Sequence, residues 1–187
     1  MSRLFLAVGV VAVVSGSAFA GAIQSYNYDT GLQGWGISGT IDWMSSGGNP
    51  DGMVEDGYYK NHTGYLYKED ISTTGYTNIA VSYDLKTAGG DTEMTTYYSL
   101  DGGGSWNTAE TLGVGDMNGY KNTWGNRSYS LPGGANNNSA IGWKFECWAS
   151  SGSTIDLDNV VVSGIPEPAT MVLMALGLLG LCRRRVS

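Results

Sequence analysis

Two segments alternate strictly in polarity, and this limits the fold more than any other feature of the sequence. Ile79, Val81, Tyr83 and Leu85 are interleaved with Asn78, Ala80, Ser82 and Asp84; Ile141, Trp143, Phe145 and Cys147 are interleaved with Gly142, Lys144, Glu146 and Trp148. A period of two puts one set on each face of an extended chain, so both segments read as strands with one face in a core and the other in water. Gly64–Tyr67, Tyr97–Leu100, Ser128–Leu131 and Ile155–Val162 are further strand candidates. The breaks at Gly89-Gly90, Gly102–Gly104 and Gly133–Asn138 supply residues that turn at little steric cost. No stretch between residues 21 and 165 spaces apolar residues as an amphipathic helix does. The expected fold is all-β: an antiparallel sandwich of the jelly-roll kind. Six tryptophans and twelve tyrosines give such a domain a core able to offset the ordering of its glycine-rich loops.

The two ends belong to different physics. Residues 1–20 carry Arg3, an apolar run over Leu4–Val14, and Ala18-Phe19-Ala20, the small-x-small exit that signal peptidase cuts. The run is too short for a comfortable membrane span, which favours a cleaved export signal in a short helix. Residues 166–187 open with Pro166-Glu167-Pro168, continue as an apolar stretch over Thr170–Cys182, and end on Arg183, Arg184 and Arg185. Met171–Leu181 has no polar face, so it reads as a single apolar membrane helix held by the arginines on the cytoplasmic side. The expected division is a signal peptide over 1–20, a β-sandwich domain over 21–165 and a tail over 166–187. Two prolines so close together predict that the strand has ended before them.

Outside the two end segments there are 16 acidic residues against 6 basic ones. That balance repels phosphate backbones and argues against nucleic-acid binding. A single histidine, His62, and one cysteine within the domain, Cys147, exclude a His/Cys zinc cluster and a disulfide framework.

The Pro-Glu-Pro triplet, the short apolar span and the terminal arginines resemble the PEP-CTERM sorting signal of Gram-negative bacteria. The resemblance covers about the last 23 residues. It implies two processing partners, signal peptidase and an exosortase-like sorting enzyme. It also implies passage across the inner membrane, a temporary membrane attachment through the tail, and delivery to the envelope, cell surface or exopolysaccharide matrix.

Within the domain, Ser99-Leu100-Asp101-Gly102-Gly103-Gly104-Ser105-Trp106 resembles an Asp-box hairpin. There Ser99, Asp101 and Gly103 would shape the turn and Trp106 would pack beneath it. With Arg127 as the domain's sole arginine, no sialidase-type arginine triad is available. Tyr28-Asp29-Thr30-Gly31-Leu32-Gln33-Gly34-Trp35 at the start and Asp156-Leu157-Asp158-Asn159-Val160 at the end are similar to galactose-binding-like jelly rolls; Trp43 with Gly47–Gly52 is similar to laminin-B-like members. That resemblance implies pairing of the first and last strands, and in many members a structural calcium, for which Asp29 and Asp158 would be the carboxylates. Turn capping by the same two residues is the competing reading.

Alternation sets Trp148 on the face opposite Phe145, beside Lys144 and Glu146. An indole among polar groups is a stacking surface for a sugar ring, and core packing is the alternative. Tyr58, Tyr59, Tyr65 and Tyr67 form a second aromatic stretch open to the same two readings. Catalysis has little support. Glu55, Glu69, Glu93 and Glu146 are carboxylates without a pairing pattern, and His62 has no nucleophile motif beside it. The residues therefore point to an exported, structural or adhesive, non-catalytic β-sandwich that binds extracellular polysaccharide. A glycan-active enzyme on the same scaffold and a calcium-dependent adhesin are the alternatives.

Overall fold

The computed structural model describes residues 20–57 and 62–167. Eleven strands form two antiparallel sheets packed face to face. The first sheet contains β1 (Gly21–Tyr26), β3 (Ile41–Met44), β4 (Met53–Gly57), β6 (Tyr76–Ala88), β9 (Gly125–Ser130) and β11 (Thr154–Pro166). Its order is β3-β4-β11-β6-β9, and β1 also pairs with β11. The second contains β2 (Gly36–Ser38), β5 (His62–Ile71), β7 (Thr92–Ser99), β8 (Asn107–Leu112) and β10 (Ile141–Ala149), in the order β2-β5-β10-β7-β8. The expected sandwich is thus the observed one, with its first and last strands paired. Among the described residues one α-helical turn, α1 (Val114–Met117), and two 3-10 turns at Asn118–Tyr120 and Gly133–Ala135 interrupt the all-β pattern. Four residues are too few to show a helical period in the sequence. The expected signal helix and the apolar tail helix lie outside the described residues, and no described helix is long and apolar enough to cross a membrane.

The core forms where the two alternating segments meet. Ile79, Val81, Tyr83 and Leu85 of β6 and Trp143, Phe145 and Cys147 of β10 are all buried. Tyr83 meets Phe145 edge to face at 4.9 Å, a geometry that sets the positive ring edge against the negative ring face. Trp35 closes the same cluster, 5.9 Å from Phe145 and 5.5 Å from Tyr26. In β11 the alternation changes phase part-way. Ile155 and Leu157 point inward, a bulge falls between Asp158 and Val161 with Asn159 at φ 49°, and Val160 and Val162 then reach the core. Asp158, the last residue before the bulge, lies on the outer side of the sheet, buried under the loop over residues 47–52.

Arg127 on β9 pairs with Glu110 on β8, linking edge strands of the two sheets. Glu110 also accepts the Tyr83 hydroxyl at 2.9 Å. Burial and the adjacent Glu110 carboxylate push the Tyr83 phenol far above its usual range, so it stays a donor.

β11 does not stop where two nearby prolines predict. It runs through Pro166, one residue past the expected domain boundary. Pro166 lies opposite Tyr76, and the chain stays attached one step further, where the Glu167 N–H donates to Gly75 O at 2.9 Å. Proline is tolerated here because it ends the strand, where a missing N–H breaks no ladder on either side.

Candidate functional site

The solvent-facing side of the second sheet gathers aromatic side chains around one lysine. Alternation along β10 directs Trp143, Phe145 and Cys147 inward and leaves Lys144, Glu146 and Trp148 half-buried on the other face. Strand register then chooses their neighbours. Tyr67 of β5 and Tyr97 of β7 flank Lys144, Tyr65 and Thr95 flank Glu146, and Thr63 and Glu93 flank Trp148. With about 4.8 Å between strands and about 3.4 Å per residue, Lys144 to Trp148 covers roughly 13 Å along β10, and the platform is three strands wide.

The polar groups at its centre are held in place. Lys144 Nζ lies 4.4 Å from the Tyr97 ring centroid, 4.7 Å from that of Trp106 and 5.9 Å from that of Tyr65. Each is a cation–π contact of about 0.5–2 kcal/mol, depending on solvent access. The Tyr97 hydroxyl donates to Glu146 Oε2 at 2.8 Å. Desolvation and, after it, that bond to Glu146 raise the Tyr97 phenol above its usual range. Two glycines let rings lie close to the sheet. A Cβ on Gly36 would stand 2.5 Å from Tyr67 Cζ, and one on Gly142 would stand 2.9 Å from Trp106 Cη2. Both distances are far inside van der Waals contact, so a larger residue at either position would displace the ring above it.

The structure brings Lys144, Glu146 and Trp148 to one face and adds residues that sequence reasoning did not assign to it. Tyr97 sits beside Tyr98, and two adjacent aromatics hide which one faces out. Trp106, expected beneath the Ser99–Ser105 turn, lies half-buried over Gly142, the register partner of Ser99, and over Lys144. The turn is built by other atoms. Ser99 Oγ donates to Asp101 Oδ1 at 2.6 Å and accepts the Gly103 N–H at 2.8 Å, and the Ser105 N–H donates to Asp101 Oδ1 at 2.8 Å. These donors hold the Asp101 carboxyl down at about 2, below the ordinary aspartate value. Tyr65 and Tyr67 of the second aromatic stretch belong to the platform, and Tyr58 and Tyr59 lie outside the described residues.

Asp29 and Asp158 meet on the far side of the sandwich, at the loop over residues 47–52. Asp158 Oδ2 accepts the Asn49 N–H at 2.6 Å and Oδ1 accepts its neighbour's, from Asn159, at 2.7 Å. Asp29 Oδ1 accepts the Gly52 N–H at 3.2 Å, and Oδ2 accepts from the Asn27 side-chain amide. All four carboxylate oxygens therefore face N–H donors. Among the described residues no three His, Cys, Asp or Glu side chains converge as a metal cage. The site that the jelly-roll resemblance implies takes two carboxylates and several carbonyls; here both carboxylates cap N–H groups, the arrangement of the turn-capping reading, and so fasten the loop. Burial raises the Asp158 carboxyl to about 6, working against the two N–H bonds that stabilise its anion.

Of the remaining carboxylates, Glu55 is on the outer face of the first sheet beside Asp156 and Glu69 lies at the far end of β5 under Gly103, whereas Glu93 is exposed on β7 next to Trp148, on the same face as Glu146. Cys147 is buried in the core, which pushes its thiol well above the usual range and keeps it unreactive. Ala20 is exposed just before β1, Ala18, Pro168 and Arg183–Arg185 lie outside the described residues, and Pro166 ends β11 with Glu167 following it.

Residues 164–186 match the PEP-CTERM protein-sorting motif. The sorting motif marks an exported chain directed to the cell envelope and implies processing by an exosortase-type enzyme. No curated protein matches the chain. Solved structures match its domain as a fold. A carbohydrate-binding module, TmCBM61, in complex with β-1,4-galactotriose aligns with a TM-score of 0.55 at 14% identity, over 75% of this chain and 94% of that one. The CBM22-1 xylan-binding domain of Xyn10C from Paenibacillus barcinonensis gives 0.56 at 11% identity, over 81% and 99%. The K3 cleaved adhesin domain of Lys-gingipain from Porphyromonas gingivalis gives 0.57 at 14%, over 77% and 100%. At these identities the likeness is one of architecture: the sandwich of carbohydrate-binding modules and adhesin domains.

Proposed function

We propose that the domain is a non-catalytic polysaccharide-binding module, exported and sorted to the envelope or exopolysaccharide matrix of a Gram-negative bacterium. The platform around Lys144 carries this reading. A pyranose ring presents C–H bonds on its faces and hydroxyls around its rim. Half-buried rings of Tyr65, Tyr67, Tyr97, Trp106 and Trp148 offer surfaces for the C–H faces, and Lys144 and Glu146 offer a donor and an acceptor for the rim. Lys144 is already surrounded by three rings and Glu146 already holds the Tyr97 hydroxyl. Little side-chain entropy is then lost when a chain binds, which favours affinity. An open sheet face roughly 13 Å long suits an internal stretch of a polymer better than a single small sugar. The two carbohydrate-binding modules of the same architecture add support for the class of ligand, and leave the particular sugar to be found.

Calorimetric titration of the purified domain with a panel of soluble polysaccharides, including xylan, β-1,4-galactan and the producing cell's own exopolysaccharide, tests the proposal. At least one polymer is expected to bind, and Trp148→Ala and Tyr97→Ala are each expected to weaken that binding tenfold or more. Binding that survives both substitutions unchanged would move the site away from this face.

A further inference from the structure

The last strand and the sorting motif share residues. The motif begins at Gly164, whereas β11 continues through Pro166. Gly164 lies opposite Gly21 of β1, and Ile165 and Pro166 lie opposite Thr77 and Tyr76 of β6. The Thr77 hydroxyl donates to Ile165 O at 3.3 Å, and the Glu167 N–H reaches Gly75 O. Gly164 is also packed from the side: a Cβ there would stand 2.8 Å from Ile79 Cδ1 and 3.1 Å from Ile23 Cδ1. The opening residues of the motif are therefore sheet residues, paired with β1 on one side and β6 on the other. No linker separates them from the domain.

A cleaving enzyme needs several residues of extended backbone with their edges free. Residues 164–166 could meet that need only by leaving the sheet, and this would strip partners from both β1 and β6. Each backbone hydrogen bond lost contributes about 1 kcal/mol and uncovers apolar side chains beneath it, so the opening is a rare event in a folded domain.

We infer that the sorting enzyme acts on the folded domain: Gly164–Glu167 stay in the first sheet during processing, and the peptide bond that is cut is Glu167–Pro168 or one further along. In hydrolysis, water supplies the hydroxyl of the new domain carboxyl group and the proton of the tail's new amine. In transfer, an acceptor hydroxyl or amine takes the acyl carbon in water's place and its proton goes to the same amine. Either way the folded domain keeps every residue of β11, so sorting leaves its stability intact. This inference does not depend on sugar binding.

Two measurements on the full chain in its producing cell test it. The mature protein is isolated from the surface, and its C-terminal peptide is defined by mass spectrometry. A last residue at Glu167 or beyond is expected. A last residue at Pro166 or earlier overturns the inference, as does a mature chain that still ends in Arg183–Ser187. The second measurement staples the strand end. Thr77 and Ile165 are register partners across β6 and β11, so Thr77→Cys with Ile165→Cys places two thiols to close in the oxidising envelope. Processing of the stapled chain at the wild-type extent is expected. Processing that stops when the staple is oxidised and returns when it is reduced would mean that the strand must open, and would overturn the inference. If the double variant fails to fold, the wild-type C-terminus still decides.

Discussion

Tyr97 and Glu146 are joined across β7 and β10 by a 2.8 Å hydrogen bond from the phenol to the carboxylate. The bond sets the height of both groups on the sheet and leaves Glu146 Oε1 without a place in this pair. Tyr97→Phe keeps the ring over Lys144 and removes the bond. The expected result is a loss of about 0.5–1.5 kcal/mol in stability or less, and a several-fold weaker polysaccharide complex. Thermal melts and titration calorimetry separate the two effects. Unchanged affinity would show that the ring alone matters.

Trp148 and Trp143 make a matched pair for separating surface from core. They lie on opposite faces of the same strand, Trp148 half-buried and Trp143 with no exposed surface. Trp143→Ala is expected to destabilise the domain by about 3–5 kcal/mol, the usual range for a buried aromatic reduced to alanine. Trp148→Ala should cost well under that and weaken binding by about tenfold, or roughly 1.4 kcal/mol. Denaturant titration of both variants checks the difference; equal losses would place Trp148 within the core.

Acid should stabilise this domain across the mild range. Burial raises both Asp56 and Asp158 to about 6 from an ordinary value of 3.8. Between those values the folded chain holds protons that the unfolded chain has lost, so stability falls as pH climbs from about 4 through 6 and is higher at pH 5 than at pH 7. Each group contributes on the order of 1–3 kcal/mol to that trend. Urea melts at the two pH values give the sign directly, and Asp56→Asn should remove about half the difference. Greater stability at pH 7 would contradict the burial argument.

Chelation provides a check on the loop over residues 47–52. Its fasteners are N–H bonds to Asp29 and Asp158, so EDTA is expected to leave Tm unchanged. Asp158→Ala should lower Tm with or without chelator, because it frees the Asn49 and Asn159 N–H groups beneath the loop. A Tm that rises with added calcium, and ceases to do so in Asp158→Ala, would reverse this assignment.

The core was legible in the sequence because a period of two survives in any register: Ile79–Leu85 and Ile141–Cys147 had to share a face with something. The same property placed Trp148, Glu146 and Lys144 together. What the sequence lacked was the pairing between strands. Nothing local says that Tyr67 and Tyr97 flank Lys144, since those contacts are fixed by the register of β5, β10 and β7. The contact of Trp106 with Lys144 was hidden for a related reason: its turn could be read from local spacing, but the strand it covers could not. The phase change along β11 after Asp158 was hidden, because strict alternation has no term for an inserted residue. The strand end at Pro166 was missed because proline disfavours the interior of a sheet and is tolerated at its terminus.

The central place of β11 has a mechanical consequence. A pull applied to the chain beyond Glu167 reaches the fold through the C-terminal end of this strand. That strand runs between β6 and β1 near its end and between β6 and β4 near its start. A pull along its axis tries to slide it lengthwise past its neighbours, so the hydrogen bonds of both ladders carry the force together. An edge strand pulled sideways would instead give up its bonds one after another. The position of the last strand thus makes the chain's exit point one of the hardest places in the domain to pull apart.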